Sequence, residues 1–347
     1  MTPLRFDYPI SVAVLYTAFE KETVDVMEQI NAALTSRGHM VRIFSVNSTN
    51  WRSAIKVSGD VVVNLIEDDV TDWKLWAGVG KQLELMGRPQ VGFSLRAIRN
   101  SLNKLYMKRK LLNHNLSTPE FRVIRKKSSI HQVRGLEYPL IVKPARQHSS
   151  FGIAQDSVVI DENELIERAK FLFKRFKGEV LIEEFIEGRE INVTVIGNGR
   201  RLAVLPYAEL NFRGEFSDMW HVYSYDAKWN PKSWEYYSVP IICPIVFPNK
   251  IEKEIDKLVK SAFRTMYCRD IVRFDLRLDE KLKPYIIDLN VNPDLNGGDE
   301  EGCWRAAKAC GWSYADFIET LVAITYKRGY GRLPDRLRER NLLLTTR

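Results

Sequence analysis

The chain is 347 residues long, 45% hydrophobic and 28% charged, a composition that excludes a disordered chain and, at roughly 100 to 200 residues per domain, predicts two or three cores. No apolar run reaches the length of a membrane-spanning helix, and the four cysteines, Cys243, Cys268, Cys303 and Cys310, form no C-x-x-C pair and no disulfide framework. The formal net charge of +8 is scattered, with modest clusters at Lys104 to Lys110, Arg125 to Lys127 and after Tyr326, so it reads as solvated surface and not as a nucleic-acid or membrane interface.

The first hundred residues alternate short apolar runs with amphipathic stretches, the pattern of β-α-β units on a parallel sheet. Strands are predicted at Ser11 to Tyr16, Val41 to Ser45, Val61 to Ile66 and Gln90 to Gly92. A helix is predicted over Glu22 to Ser36, on the spacing of Val26, Ile30, Ala33 and Leu34. The run Ile10-Ser-Val-Ala-Val-Leu-Tyr16 has no cleavage-site pattern, so the expected location is cytoplasmic. This Rossmann-like lobe has no G-x-G-x-x-G turn and therefore no dinucleotide signature.

From Ser101 a basic helix runs through Leu112, and strands at Pro139 to Pro144 and Glu179 to Ile186 flank a helix at Asn163 to Phe176. After Gly188 the chain is strand-rich, over Glu190 to Ile196 and Arg201 to Leu210. An irregular aromatic stretch follows through Tyr237, then a helix at Asn249 to Met266 and a hairpin from Ile271 to Pro293. The tail from Lys327 onward, with Gly and Pro breakers, reads as peripheral. The expected organisation is an α/β lobe over residues 1–100 and two α+β lobes over residues 101–186 and 187–347.

Three segments carry chemistry. Leu140-Ile-Val-Lys-Pro-Ala-Arg-Gln-His-Ser-Ser-Phe-Gly152 is a strand that ends in Lys143 and opens into a polar loop. Backbone N–H groups and the Ser149 and Ser150 hydroxyls could donate to phosphate oxygens that Lys143 neutralises; an ordinary polar loop is the competing reading. Val180-Leu-Ile-Glu-Glu-Phe-Ile-Glu-Gly-Arg-Glu190 runs into carboxylates. Backbone groups at Glu184 and Ile186 could pair with an adenine edge and Glu190 could accept from ribose, or the segment is an acidic linker. In the hairpin, Phe274, Leu276 and Leu278 alternate with Arg273, Asp275, Arg277 and Asp279, and Ile287, Leu289 and Val291 with Asp288, Asn290 and Asn292. A reversal near Lys281 and Leu282 places Asp275 beside Asp288, with Asn290 one step along the same face. Such oxygen ligands suit Mg²⁺ or Mn²⁺, while a solvated polar face gives the same alternation.

Taken in order, these segments resemble an ATP-grasp enzyme of the D-alanine–D-alanine ligase type. The resemblance rests on Ser101-Leu-Asn-Lys-Leu, the Lys143 loop, the Val180 to Glu190 segment, Tyr225-Asp-Ala-Lys-Trp, Arg273-Phe-Asp-Leu-Arg-Leu-Asp and Asp288-Leu-Asn-Val-Asn-Pro. It implies a three-lobed ATP-grasp fold, with an N-terminal Rossmann-like lobe and ATP sandwiched between the central and C-terminal lobes. It also implies that Lys104, Lys143, Ser149 and Ser150 contact ATP phosphates and that Glu183, Glu184, Phe185 and Ile186 hold adenine. By the same resemblance Glu190 binds ribose, Lys228 reaches the γ-phosphate, and Asp275, Asp288 and Asn290 hold two magnesium ions. Arg273 would stabilise the oxyanion. The implied reaction is attack of a substrate carboxylate on the γ-phosphate, giving an acylphosphate and ADP, then attack by an amine, giving an amide and phosphate. Such chemistry needs charge neutralisation and exclusion of water. The aromatic stretch Phe212 to Trp234 is long enough to close over the site, or to pack between lobes. Relatives of this type are often dimers, so a homodimer is one candidate state, which the sequence itself does not fix.

Departures from the family pattern fall mainly on the substrate side. Asp288 stands where these ligases usually have glutamate, His148 replaces a loop glycine, and Trp229 replaces a tyrosine that orients substrate. Thr17-Ala-Phe-Glu-Lys-Glu-Thr23 lacks the glycine-rich turn and its amine-binding glutamate. Asp294-Leu-Asn-Gly-Gly-Asp299 replaces small and hydroxyl residues near the acceptor; Asp294 or Asp299 could meet a substrate cation or cap the next helix. Trp229, Asn292, Asp294 and Asp299 are the candidate substrate residues. The expected activity joins an amino acid to a small carboxylic or amino acid, with D-alanine–D-alanine ligation or non-catalytic ATP binding as alternatives.

Overall fold

A strand apolar on both faces must be covered on both faces, and in the computed structural model Val12 to Leu15 of β1 (Ser11–Tyr16) are fully buried. The structure describes residues 1–18, 21–66, 74–147, 150–176, 178–298 and 302–331. β1 pairs in parallel with β2 (Met40–Ser45) and β3 (Val61–Leu65), in the order β2-β1-β3. The helix Lys21–Ser36 lies over this sheet on its predicted apolar stripe. The predicted strand at Gln90 to Gly92 is reduced to a single bridge between Gln90 and Val62. Gly92, at φ 70°, turns the chain away, and its N–H donates to Asp270 instead. The predicted basic helix from Ser101 is two helices, Leu95–Ser101 and Lys104–Leu112. Extended Asn103 breaks them and caps the second by accepting from the N–H groups of Leu105 and Tyr106.

The middle of the chain forms an antiparallel sheet of β4 (Phe121–Ile124), β5 (Leu140–Pro144), β6 (Val158–Val159) and β7 (Val180–Glu184), ordered β4-β7-β5-β6. Helix Glu162–Arg175 packs on it, and Leu140, Val142, Leu165, Leu172 and Ile182 belong to a core of its own. The third sheet contains β8 (Arg189–Asn198), β9 (Arg201–Val204), β10 (Tyr207–Leu210), β11 (Ile241–Ile245), β12 (Asp270–Leu278) and β13 (Pro284–Asn290). Its order is β11-β10-β8-β12-β13, with β9 also on β8. The single strand predicted over Arg201 to Leu210 is split at Leu205-Pro206, because Pro206 has no N–H to give to the ladder. The first and third sheets share apolar clusters: Val12 and Val14 lie in one with Ile271 and Phe317, and Ala13 and Leu15 in another with Phe93 and Phe274.

The hairpin departs from simple alternation at one point. Asp275 pairs with Asp288, but Leu276 pairs with Ile286, so Ile287 is an extra residue in a β-bulge. Below the bulge the faces shift by one: Ile286 is buried in the core, and Ile287, expected on the apolar face, lines the cavity described below. The reversal is held by Asp279, whose carboxylate accepts from the N–H groups of Lys281 and Lys283 at 2.9 Å.

The beginning of the predicted peripheral tail is structural. Helix Tyr314–Tyr330 continues through it, and Arg328 donates from Nε and Nη2 to the fully buried Asp270 at 2.9 and 2.8 Å. Asp270 also accepts from Asn198 and Gly92, and Arg328 from Nη2 donates to the Gln90 carbonyl, so this pair fastens three segments distant in sequence. Among the described residues no helix is long and apolar enough to cross a membrane. Arg328→Ala strands the Asp270 carboxylate without its cation and should lower the unfolding free energy by about 3 to 5 kcal/mol. A fall in the urea midpoint checks this, and an unchanged midpoint refutes the account of the tail.

Candidate active site

A cavity of about 1210 Å³ is lined by residues of all three sheets and their connections, among them Asn64, Lys143, Glu183, Glu190, Asp275 and Asp288. Its polar corner is the hairpin. β12 and β13 place Asp275 opposite Asp288 and Arg273 opposite Asn290. Arg273 grips Asp275 with two bonds, Nε to Oδ1 at 2.8 Å and Nη2 to Oδ2 at 3.1 Å, and Asn192 of the neighbouring strand β8 donates to the same Oδ1 at 2.8 Å. Lys104, at the first turn of its helix, donates from Nζ to Asp288 Oδ2 at 2.6 Å. Asp275, Asp288 and Asn290 all line the cavity, two carboxylates and an amide; among the described residues no group of three or more His, Cys, Asp or Glu could hold a metal ion.

Lys143, at the end of β5, stands 3.0 Å from Glu183 on the adjacent strand β7. The resemblance places Glu183 around adenine, yet its carboxylate is only 1% exposed and lies between Lys143 and a second lysine, Lys108, whose Nζ is 3.2 Å away. Lys108 is completely buried and also donates to Thr118 Oγ1 at 2.7 Å. The expectation that the Lys104 to Lys110 cluster is solvated is therefore wrong for two of its lysines. The sequence carries a signal for this: Lys104, Lys108 and Leu111 share the i, i+4, i+7 spacing of a buried stripe.

The Val180 to Glu190 segment crosses from the central to the third sheet. Phe185 is buried against Trp220, with the Arg277 guanidinium 4.6 Å above its ring. Glu184 lines the cavity, and its carboxylate accepts from the N–H of Glu137. Arg277, to which the sequence assigned no role, organises the crossing: it donates to the carbonyls of Ile186, Gly188 and His221 and to Glu190 Oε2 at 2.9 Å. Part of the acceptor capacity of Ile186 is thus used within the protein. Burial pushes the Glu190 carboxyl up, and the Arg277 charge opposes that rise.

The aromatic stretch after Leu210 is more regular than expected, with a 3-10 turn at Gly214–Asp218 and short helices Tyr225–Trp229 and Trp234–Ser238. It is fastened to the Lys143 loop: Ser150, at φ 60°, donates its hydroxyl to the Tyr223 carbonyl at 2.9 Å, and the N–H of Tyr225 donates to the Ile153 carbonyl at 3.0 Å. Ser150, Lys228 and Trp229 line the cavity. Ser149, His148 and Asp299 lie outside the described residues.

Asn292 and Asp294 also line the cavity, and Asp294 accepts from the N–H of Asn296 at 2.8 Å, capping its own turn and not the next helix. Gln29 holds this turn to the first lobe by accepting from the N–H of Gly297 at 2.7 Å. Glu22, in the first turn of helix Lys21–Ser36, lines the cavity beside Thr23.

The family described as D-Ala D-Ala ligase C-terminus matches residues 113–323. The D-alanine–D-alanine ligase of Bordetella petrii is 32% identical over 242 residues, covering 70% of this chain and 69% of the relative. Two solved structures share the fold. VanG D-Ala:D-Ser ligase from Enterococcus faecalis has a TM-score of 0.71 at 19% identity, covering 92% of this chain and 100% of that one. The D-alanine–D-alanine ligase of Bacillus anthracis complexed with ATP has a TM-score of 0.68 at 18% identity, covering 92% and 98%. The architecture is thus the ATP-grasp fold.

Burial lowers the Lys108 ammonium from its ordinary 10.5 to about 8. Between those values the unfolded chain holds more protons than the folded one, so this group adds stability as pH rises through the window. Wild type should therefore gain on Lys108→Met by on the order of 3 kcal/mol between pH 8 and 10.5. Paired urea titrations at the two pH values read this, and a constant gap would show that Lys108 is not desolvated.

Proposed function

The chain belongs to the D-alanine–D-alanine ligase family of ATP-dependent, amide-forming enzymes, and from that premise we propose that it joins an amino acid to a small carboxylic or amino acid through an acylphosphate. The observation that carries this reading is the hairpin corner, where Asp275, Asp288 and Asn290 share one face of a cleft with Lys104 and Lys143. In this reading Lys104, Lys143 and Lys228 take the phosphates, the segment Glu183 to Ile186 takes adenine, and Glu190 takes the ribose hydroxyls. Ser149 and Ser150 belong to the loop over the phosphates.

The donor set of the corner is all oxygen and small in number, which fits Mg²⁺, typically held by one or two carboxylates together with substrate phosphates. Mg²⁺ on Asp275, Asp288 and Asn290 would supply neutralisation of the triphosphate oxygens. The chain's own groups position the reactants. One oxygen of the substrate carboxylate bonds to the γ-phosphorus as the bond to the ADP oxygen breaks, and ADP leaves with that electron pair. The amine of the second substrate then attacks the acyl carbon, the carbon–oxygen bond to phosphate breaks, and the amine's proton is lost to give the amide. Arg273, facing the corner, stabilises the oxyanion formed in that attack. The segment 212–238, tied to the Lys143 loop through Ser150 and Tyr225, shields the acylphosphate from water.

Trp229, Asn292 and Asp294 at the substrate end support an acceptor different from D-alanine. A second reading, D-alanine–D-alanine ligation itself, is favoured by Glu22, a carboxylate from the first lobe that can meet a substrate amine. Phosphate release from ATP and magnesium with pairs of D- and L-amino acids and small carboxylic acids separates the two. Lys143→Ala and Asp288→Asn should each cut release by at least about 100-fold, the scale at which removal of one positioned charge-stabilising group acts. Wild-type rates in both variants would show the site to be misassigned.

A further inference from the structure

The aromatic residues of the segment 212–238 divide into two sets. Phe216 is fully buried, packs with Leu210, Ala227 and Val239 in a small core, and meets the Phe212 ring edge-on at 5.1 Å. That set holds the segment together. The second set does no core work: Trp229 is 43% and Tyr237 72% exposed, and both line the cavity together with Tyr236. Helix Trp234–Ser238 carries three aromatic residues and buries none of them. Its anchor is polar, through Glu235, whose carboxylate accepts from the buried Ser224 hydroxyl that caps helix Tyr225–Trp229. A single exposed aromatic is ordinary, whereas several grouped on the rim of one cavity mark a binding surface.

Contacts through the third sheet place this rim beside the hairpin corner. Helix Gly302–Ala309 starts against the corner: a methyl group on Gly302 would stand 3.4 Å from Asn192 Oδ1 and 3.5 Å from Cδ of Arg273. Arg305, on the same face of that helix, donates from Nη1 to the carbonyl of Ile241, the first residue of β11. Tyr236 and Tyr237 lead into that strand, and Trp229 follows Lys228, which the proposed reading puts on the γ-phosphate. Adenine is assigned to Glu183 to Ile186 at the end of the central sheet, so the rim is left for a substrate.

On the ligase reading of the cleft, on which this rests, we infer that Trp229, Tyr236 and Tyr237 receive an aromatic side chain carried by one of the two joined substrates. A flat ring removes the exposed indole and phenol surfaces from water and meets them offset-stacked or edge-on, a gain beyond the burial of area. A methyl or hydroxymethyl side chain is too small to cover them. The contact is non-covalent and leaves the bond-making steps at the corner unchanged.

The test uses the purified chain with ATP and magnesium, and phosphate release as the readout. One arm compares phenylalanine, tyrosine and tryptophan of either configuration with alanine and serine as the amino acid; the other compares phenylacetate with acetate as the acid. In one arm wild type should favour the aromatic compound by roughly 10- to 100-fold in kcat/KM, the scale on which filling an apolar pocket discriminates, and that arm identifies the substrate that carries the ring. Tyr237→Ala should cut this preference about tenfold, mainly through KM, and Tyr237→Phe, which keeps the ring, should retain it. The preference is a ratio, which a loss of folded protein does not move. Turnover without aromatic preference in either arm, or a preference that Tyr237→Ala leaves intact, overturns the inference and leaves the ligase reading standing. No phosphate release by wild type with any pair, aromatic or small, overturns both.

Discussion

The cleft is built on charges that neutralise one another. A cation or a carboxylate removed from water is costly unless it is paired, and a cleft that must receive a triphosphate needs several cations in a half-dry space. Here Lys104 rests on Asp288 at 2.6 Å, Lys143 and Lys108 share Glu183, Arg273 is locked on Asp275, and Arg277 holds Glu190. In the proposed function, binding of Mg²⁺ and ATP would be an exchange of partners. On the proposed reading Lys104 would leave its carboxylate for a phosphate while that carboxylate took the metal, so neither charge would be left bare. Lys108 differs from the others: fully buried behind Glu183, it balances the carboxylate from the rear and leaves Lys143 available at the front.

The rest of the fold keeps these pairs in register. β8, β12 and β13 are consecutive neighbours, so Asn192, Asp275 and Asp288 fall in one row across three strands. The bulge at Ile287 keeps this row on the cavity side while Ile286, Leu289 and Val291 all remain in the core. The Asp270–Arg328 pair fastens the start of β12 to the last described helix and to the first lobe through Gln90 and Gly92. The central sheet has its own core and meets the third sheet at the crossing held by Arg277. The lobe that carries Lys143 thus joins the lobe that carries the hairpin at the wall of the cleft lined by Phe185, Ile186 and Glu190.

What the sequence showed and what it hid have separate physical causes. The alternation of Arg273, Asp275 and Arg277 against Phe274, Leu276 and Leu278 is a local, period-two signal, and it was enough to bring Asp275 opposite Asp288. A bulge has no compositional mark in Tyr285-Ile-Ile-Asp288, since either isoleucine suits either face, and Ile287 was placed on the wrong side. Lysine is almost always solvated, so the stripe position of Lys108 was overruled by its residue type. Arg328 was hidden by the Gly and Pro breakers just beyond it, though Gly331 at φ 75° in fact ends an ordered helix. Glu22 stands in a segment without the family's glycine-rich turn, and only the fold brings that helix start to the cavity. Arg305 lies outside every motif; only the fold brings it beside Ile241 and the cleft.

The partner exchange is tested most directly by calorimetric titration of ATP into the full chain, with magnesium saturating and with magnesium removed by chelator. Without the metal, Asp288, having given up Lys104, would face the phosphates uncompensated, so ATP should bind at least about tenfold more weakly, a difference of roughly 1.4 kcal/mol or more. Equal affinity in the two conditions would contradict the account, because it would mean that the hairpin carboxylates do not hold the metal that accompanies ATP.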